Sequence, residues 1–277
     1  MPAPDKVGQI EIQELLEESV EGPCYKGLQA GLGRTVAIRL LDRALAADES
    51  YRTRFLDDAK KAFKITTEGA ARLIDVGHCK ASDRWYLSYE FVTGKTSAEL
   101  LTSQGGRVEP AEVLQIGVHL CEALASAELK ALHHGDIRPE HVMFDSEGIP
   151  KVLDLGLAKQ RSFKGTNPFA APERIAGGDA SAASDPFSLG AYMYYLITGQ
   201  APARSKTPAY DVRSVIPKIS RPVGKIVWSL TVRDPKRRLK SAKAAVAQIQ
   251  AALDAEFARA MSAVPVPDKG LATSRWS

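Results

Sequence analysis

The sequence predicts an α+β fold in which a small antiparallel sheet comes first and a larger helical body follows. Two observations carry this expectation. Short runs with alternating apolar residues, Ile10 to Leu16, Tyr25 to Leu28 and Thr35 to Leu41, gather around the turn Gly31-Leu32-Gly33. Further along, apolar residues recur at helical spacing in Pro110 to Leu132 and again from Ser241 to about Met261. At 277 residues the chain is long enough for one large domain or for two lobes sharing a cleft.

Composition excludes several function classes. Lys plus Arg outnumber Asp plus Glu by 37 to 33, a mild excess spread along the chain, so no basic footprint for nucleic acid is expected. Cys24, Cys79 and Cys121 have no metal-type spacing and suit a reducing cytosol as small apolar residues, with no disulfide. No signal peptide follows Met1, and no run approaches the roughly 20 apolar residues that span a bilayer. The expectation is a cytoplasmic protein without a membrane span.

The elements follow in order. Ile10 and Ile12 share one face of the first strand. In the third, Val36, Ile38 and Leu40 alternate with Ala37, Arg39 and Leu41, which predicts two covered faces and an interior Arg39. Tyr51 to Ile65 reads as a helix; Leu73 to Gly77 and Trp85 to Val92 read as the next strands. Gly94-Lys95-Thr96 is no phosphate loop, because the glycine such a loop needs five residues earlier is Tyr89. Ser97 to Leu101 begins a helix, and Pro110 sits in the first turn of a core helix whose stripe is Val113, Ile116, Leu120 and Leu124. His119, within it, reads as a packed residue and not a metal ligand. Ser241 caps the last helix, which carries Val246, Ile249, Leu253 and Phe257 on one face; from Ser262 a Pro-containing tail follows.

The richest stretch runs from His133 to Gly156. Asp136 opens a polar loop after an apolar helix, and Asp154 ends a strand-like run at a Leu-Gly turn. Phosphoryl transfer needs such a pair, one acid for the attacking hydroxyl and one for the magnesium that neutralises the phosphates. With Asp154-Leu155-Gly156 in place of D-F-G and Ala171-Pro172-Glu173 as A-P-E, the chain resembles the protein kinase family, of the bacterial Ser/Thr type. The resemblance covers roughly residues 9 to 260. It implies a bilobal kinase-like fold, with a mostly β amino-terminal lobe over 9–92, a helical carboxy-terminal lobe over 93–261 and a loose tail over 262–277.

The resemblance also assigns roles, and the departures are specific. Asp136 and Arg138 stand at catalytic positions, Arg138 replacing a lysine. Nucleotide contacts are implied at Gly22, Ala37, Arg39, Asp58, Glu90, Val92, Met143 and Asp154, with Glu90-Phe91-Val92 as the hinge and Tyr89 as the gatekeeper. Of the glycine-rich hairpin only Gly22 remains, with Glu17 and Ser19 at the earlier glycine positions and Glu18 and Glu21 adding charge. The strand lysine is Arg39, a planar fork where a compact point charge belongs. Asp58, or Asp57 if the register slips, is the expected acid partner of Arg39. Metal would fall to Asp154 and to His141, which replaces an asparagine although magnesium prefers hard oxygen donors. Gly135 replaces the arginine that pairs with a phosphorylated activation loop. Against this decay, Gly165 to Glu173, the Glu173 with Arg238 pair and Asp185 match the parts that brace the fold.

These features imply a pseudokinase, a kinase-like signalling module that binds protein partners of unspecified identity, with weak or metal-independent ATP binding. The alternative is an atypical active Ser/Thr protein kinase, since Asp136 and Asp154 both persist; Lys26 would then replace the strand lysine, as in with-no-lysine kinases. Transfer to a small molecule, or AMP transfer to protein, is a third reading.

Overall fold

The computed structural model describes residues 4–157, 167–203 and 207–262. Its first part is an antiparallel sheet of β1 (Lys6–Val7), β2 (Ile10–Glu17), β3 (Cys24–Gln29), β4 (Arg34–Leu40), β5 (Leu73–Cys79) and β6 (Arg84–Glu90), in the order β1-β2-β3-β4-β6-β5. The alternation in β4 has its expected meaning. Val36, Ile38 and Leu40 pack with Val7 and Ile10 on one face, while Arg39 is buried on the other at 3% exposure. The sheet also contains β1, four residues upstream of where the sequence pattern began.

Two helices cross over between β4 and β5. The five-residue α1 (Arg43–Ala47) was not legible as a helix, because it is too short to show a period; it forms because Asp42 accepts from Ala44 and Leu45 N–H. In α2 (Glu49–Ala62) the start is set by Asp48, whose carboxylate accepts from Tyr51 N–H at 3.0 Å. The helix buries Tyr51, Phe55, Asp58, Ala59 and Ala62, and ends three residues before Ile65.

The helical body follows the hinge. Lys95 and Thr96 form β7 (Lys95–Thr96), and Thr96 then makes a capping box with Glu99 at the start of α3 (Ser97–Ser103). The expected apolar stripe is buried in α4 (Pro110–Glu128), which stops at Glu128 and not Leu132: Ala131, at φ 52°, turns the chain so that Leu132 enters the core. Strand β7 pairs with β8 (Val142–Phe144), and β8 with β9 (Pro150–Val152). Next come α5 (Pro172–Ile175), α6 (Ser184–Thr198), α7 (Arg221–Leu230) and α8 (Ala242–Ser262). Helix α8 packs along α4 through Ile249 and Leu253, but Phe257 is 46% exposed. Its inward place is taken by Glu256, one residue earlier, because a 3.6-residue period lets a stripe step by three as well as four.

One buried core runs from Phe55 and Leu87 beneath the sheet through Leu114 and Leu124 to Leu230 and Leu253. Among the described residues no helix is long and apolar enough to cross a membrane. Two braces, one an ion pair and one a buried carboxylate on backbone amides, tie the helical body together. Arg238 donates to both oxygens of Glu173, at 2.6 and 3.0 Å, and lies 4.8 Å over the Phe187 ring. Asp185 accepts from the backbone N–H groups of His134 and Gly135, at 2.8 and 2.6 Å. Gly165 and Thr166, and the tail from 263 onward, lie outside the described residues.

Candidate active site

Between the sheet and the helical body lies a cleft of about 800 Å³. The sheet supplies Leu16, Cys24 and Ala37, the segment after β6 supplies Phe91 and Val92, and the body supplies Met143 and Leu153. Burial pushes the Cys24 thiol up to about 12, so it is a neutral apolar wall. Tyr89 lines the inner end at 4% exposure. These residues give the cleft an apolar lining; Glu17, Arg39, His141 and Asp154 add an ionic one.

The ionic lining is built by cross-strand register. Glu17 faces Cys24 across β2 and β3, and Cys24 faces Arg39 across β3 and β4, so Glu17 and Arg39 flank one position and share the cleft side of the sheet. The Arg39 guanidinium is fully engaged. Nε and Nη2 donate to the two oxygens of Asp154 at 3.3 and 2.5 Å, Nη2 also reaches Glu17 Oε2 at 2.6 Å, and Nη1 donates to Ser19 Oγ and Gly22 O at 2.8 and 2.9 Å. A carboxylate from the hairpin and one from the body are therefore clamped to the same strand arginine. Burial works against charge on Glu17, but His141 and Arg39 outweigh it and hold the carboxyl at about 2. Burial likewise opposes the Arg39 charge, and Asp154, then Glu17, raise its pKa above the ordinary arginine range.

Asp136 is equally enclosed. Its Oδ1 accepts from Asn167 Nδ2 at 3.1 Å, and its Oδ2 lies 3.2 Å from His141 Nδ1 and 3.6 Å from Arg138 Nε. His141 Nδ1 also meets the Asp136 carbonyl at 2.8 Å, and Nε2 stands 3.3 Å from Arg138 Nη2. Asp154 holds a left-handed backbone, φ 56°, at the turn that aims its carboxylate at Arg39. Gly135 is also left-handed, φ 72°, and a Cβ there would stand 2.7 Å from Ala180 Cβ and 3.5 Å from Arg174 Nε. An arginine has no room at that position.

The structure brings together most of the sequence-predicted residues. Ala37, Arg39, Glu90, Val92, Met143, His141 and Asp154 all line the cleft. Three expectations are corrected. Arg39 does not pair with Asp58: its acid partners are Asp154 and Glu17, and Asp58 lies 3.4 Å from Lys61 on its own helix. Gly22 does not line the cleft, because its Cα is pressed against the end of β4, where a Cβ would sit 2.0 Å from Leu40 O. Lys26 does not approach Asp154; its Nζ lies 5.5 Å from the Phe91 ring centroid, on the hinge. Sequence reasoning also missed Asn167 as a partner of Asp136 and Glu17 as a partner of Arg39. The signal for Glu17 was the register, which places it two strands from Arg39 on the same face.

Glu17, His141 and Asp154 offer one ligand atom each within 4.8 Å of one another. Magnesium does not fit this set. Both Asp154 oxygens already accept from Arg39, and the remaining donors include an imidazole held by Asp136 and Arg138.

Comparison with known proteins gives a consistent result. A family model for the protein kinase domain matches residues 11–251. Similar curated proteins include serine/threonine-protein kinase PrkC of Bacillus subtilis, 29% identical over 81% of this chain and 37% of that protein. Probable serine/threonine-protein kinase SCO3848 of Streptomyces coelicolor is 30% identical over 93% of this chain and 42% of that protein. For serine/threonine-protein kinase PknL of Mycobacterium tuberculosis the values are 28%, 88% and 65%. The chain thus spans between 37% and 65% of the length of these relatives. Among solved structures, the PknI kinase domain of Mycobacterium tuberculosis superposes with a TM-score of 0.74 at 21% identity, covering 91% of this chain and all of that one, which is a likeness of fold.

Proposed function

Because the chain belongs to the protein kinase domain family, yet holds an arginine on the acid that would bind magnesium, we propose that it is a pseudokinase, a partner-binding module with little or no phosphotransfer. The observation that carries this reading is the closed group of Glu17, Arg39 and Asp154. Arg39 takes both oxygens of Asp154 and at the same time fastens the hairpin through Ser19 and Gly22. Asp136 supports it, since Asn167, His141 and Arg138 already stand around the carboxylate that would receive a substrate hydroxyl. The cleft's apolar lining suits the base and sugar of ATP; its ionic lining does not suit a magnesium triphosphate. The intact Glu173 to Arg238 and Asp185 braces fit a module whose shape is what partners recognise.

The test is incorporation of labelled γ-phosphate by the purified chain, with magnesium or manganese, beside Asp136→Asn. The expected result is equal background in both. Incorporation that Asp136→Asn abolishes overturns the reading in favour of an atypical Ser/Thr kinase. Two observations favour that second reading: Asp136 and Asp154 are both present, and the curated relatives bear the name serine/threonine-protein kinase.

A further inference from the structure

We propose that the cleft takes a purine nucleoside in preference to its phosphorylated forms, and without divalent metal, with the Arg39 guanidinium standing on Asp154 as a built-in cation. The inference rests on reading this as a nucleotide cleft. It differs from the family's metal-dependent nucleotide site because of what Arg39 does.

A metal ion placed on Asp154 must either displace Arg39 Nε and Nη2, which donate to its two oxygens, or share those oxygens with them. The guanidinium has no second seat, since Nη1 is tied to Ser19 Oγ and Gly22 O and Nη2 to Glu17. It would stay beside the incoming metal, like charge against like, in a site where Arg39 is only 3% exposed and poorly screened. A metal-free triphosphate fares badly for the opposite reason. Glu17, Asp136, Glu140 and Asp154 carry four negative charges in and beside the cleft against two positive ones on Arg39 and Arg138. Arg39 can turn to a phosphate only by giving up its two hydrogen bonds to the buried Asp154 carboxylate. Each added phosphate is thus penalised, and no metal relieves it. Base and sugar carry no charge and can lie against the apolar lining of Leu16, Ala37, Val92, Met143 and Leu153.

The experiment is calorimetric titration of the whole chain with adenosine, ADP and ATP, each in EDTA and in excess magnesium. Adenosine is expected to bind at least as tightly as ATP, and ATP affinity to change less than about threefold between the two buffers. Glu17→Gln, which keeps Arg39 on Asp154, removes one negative charge and is expected to tighten ATP by about threefold or more while leaving adenosine within about twofold. Asp154→Asn, if folded, should act in the same direction; in a metal-dependent site it would lose ATP instead. The inference is overturned if magnesium raises ATP affinity about tenfold or more, or if none of the ligands binds at millimolar concentration. Either result without Asp136-dependent phosphate incorporation leaves the pseudokinase reading standing, so the two failures are separable.

Discussion

Arg39 concentrates the chemistry of this protein in one side chain. A guanidinium at 3% exposure is tolerable only with nearly every nitrogen satisfied, and five hydrogen bonds from Nε, Nη1 and Nη2 achieve that. On the pseudokinase reading, three residues stand between this cleft and phosphotransfer: Arg39 on Asp154, Glu17 bonded to Arg39, and His141 against Asp136. Replacing Arg39 alone leaves the other two in place. Arg39→Lys is therefore expected to stay at background in labelled-phosphate incorporation, whereas Arg39→Lys combined with Glu17→Gly and His141→Asn is expected to exceed it by about tenfold or more, a factor worth about 1.4 kcal/mol of barrier. Activity in the single variant would show that the guanidinium is the whole lesion.

At the scale of the element, the β2–β3 hairpin is a clasp. Its strands place Glu17 on Arg39, and its turn places Ser19 Oγ and Gly22 O on the same guanidinium. Titration should report this. The Glu17 carboxyl lies at about 2 in the folded protein against an ordinary 4.5, so its contribution is fully present above pH 4.5 and is lost as pH falls toward 2. In urea unfolding, the stability advantage of the parent over Glu17→Gln should be constant from pH 7 to 5 and shrink below 4.5. An advantage that does not change down to pH 3.5 would mean that Glu17 is not held by His141 and Arg39 in solution. The loop before Asp136 follows a comparable logic. Gly135 adopts φ 72° with Ala180 and Arg174 beside it, so a larger residue there requires a change in the local backbone.

Across the whole molecule, the braces of the helical body are kept while the cleft is altered. The Glu173 to Arg238 pair ties the start of α5 to the segment before α8, and Arg238 also donates to the carbonyls of Val232, Arg233 and Ala183. Removing one partner strands a largely buried charge. Arg238→Met should lower the unfolding free energy by about 3–5 kcal/mol, read as a lower urea midpoint. A loss below about 1 kcal/mol would mean that the pair is an incidental surface contact. The contrast between intact braces and a cleft whose acids are paired internally is what a module selected for its shape would present.

The sequence by itself determined the two-part architecture, the buried face of β4 that carries Arg39, and the loops bearing Asp136, His141 and Asp154. Those follow from local periodicity and from motifs whose spacing lies along the chain. It could not decide whom Arg39 meets. Asp58 was the natural partner by analogy, yet the guanidinium reaches Asp154, 115 residues away, and Glu17 across two strand pairings. Asn167 on Asp136 was equally hidden. Partner choice among several nearby acids depends on strand register, backbone turn and side-chain reach, which differ by an ångström or two, and only the tertiary structure sets distances on that scale.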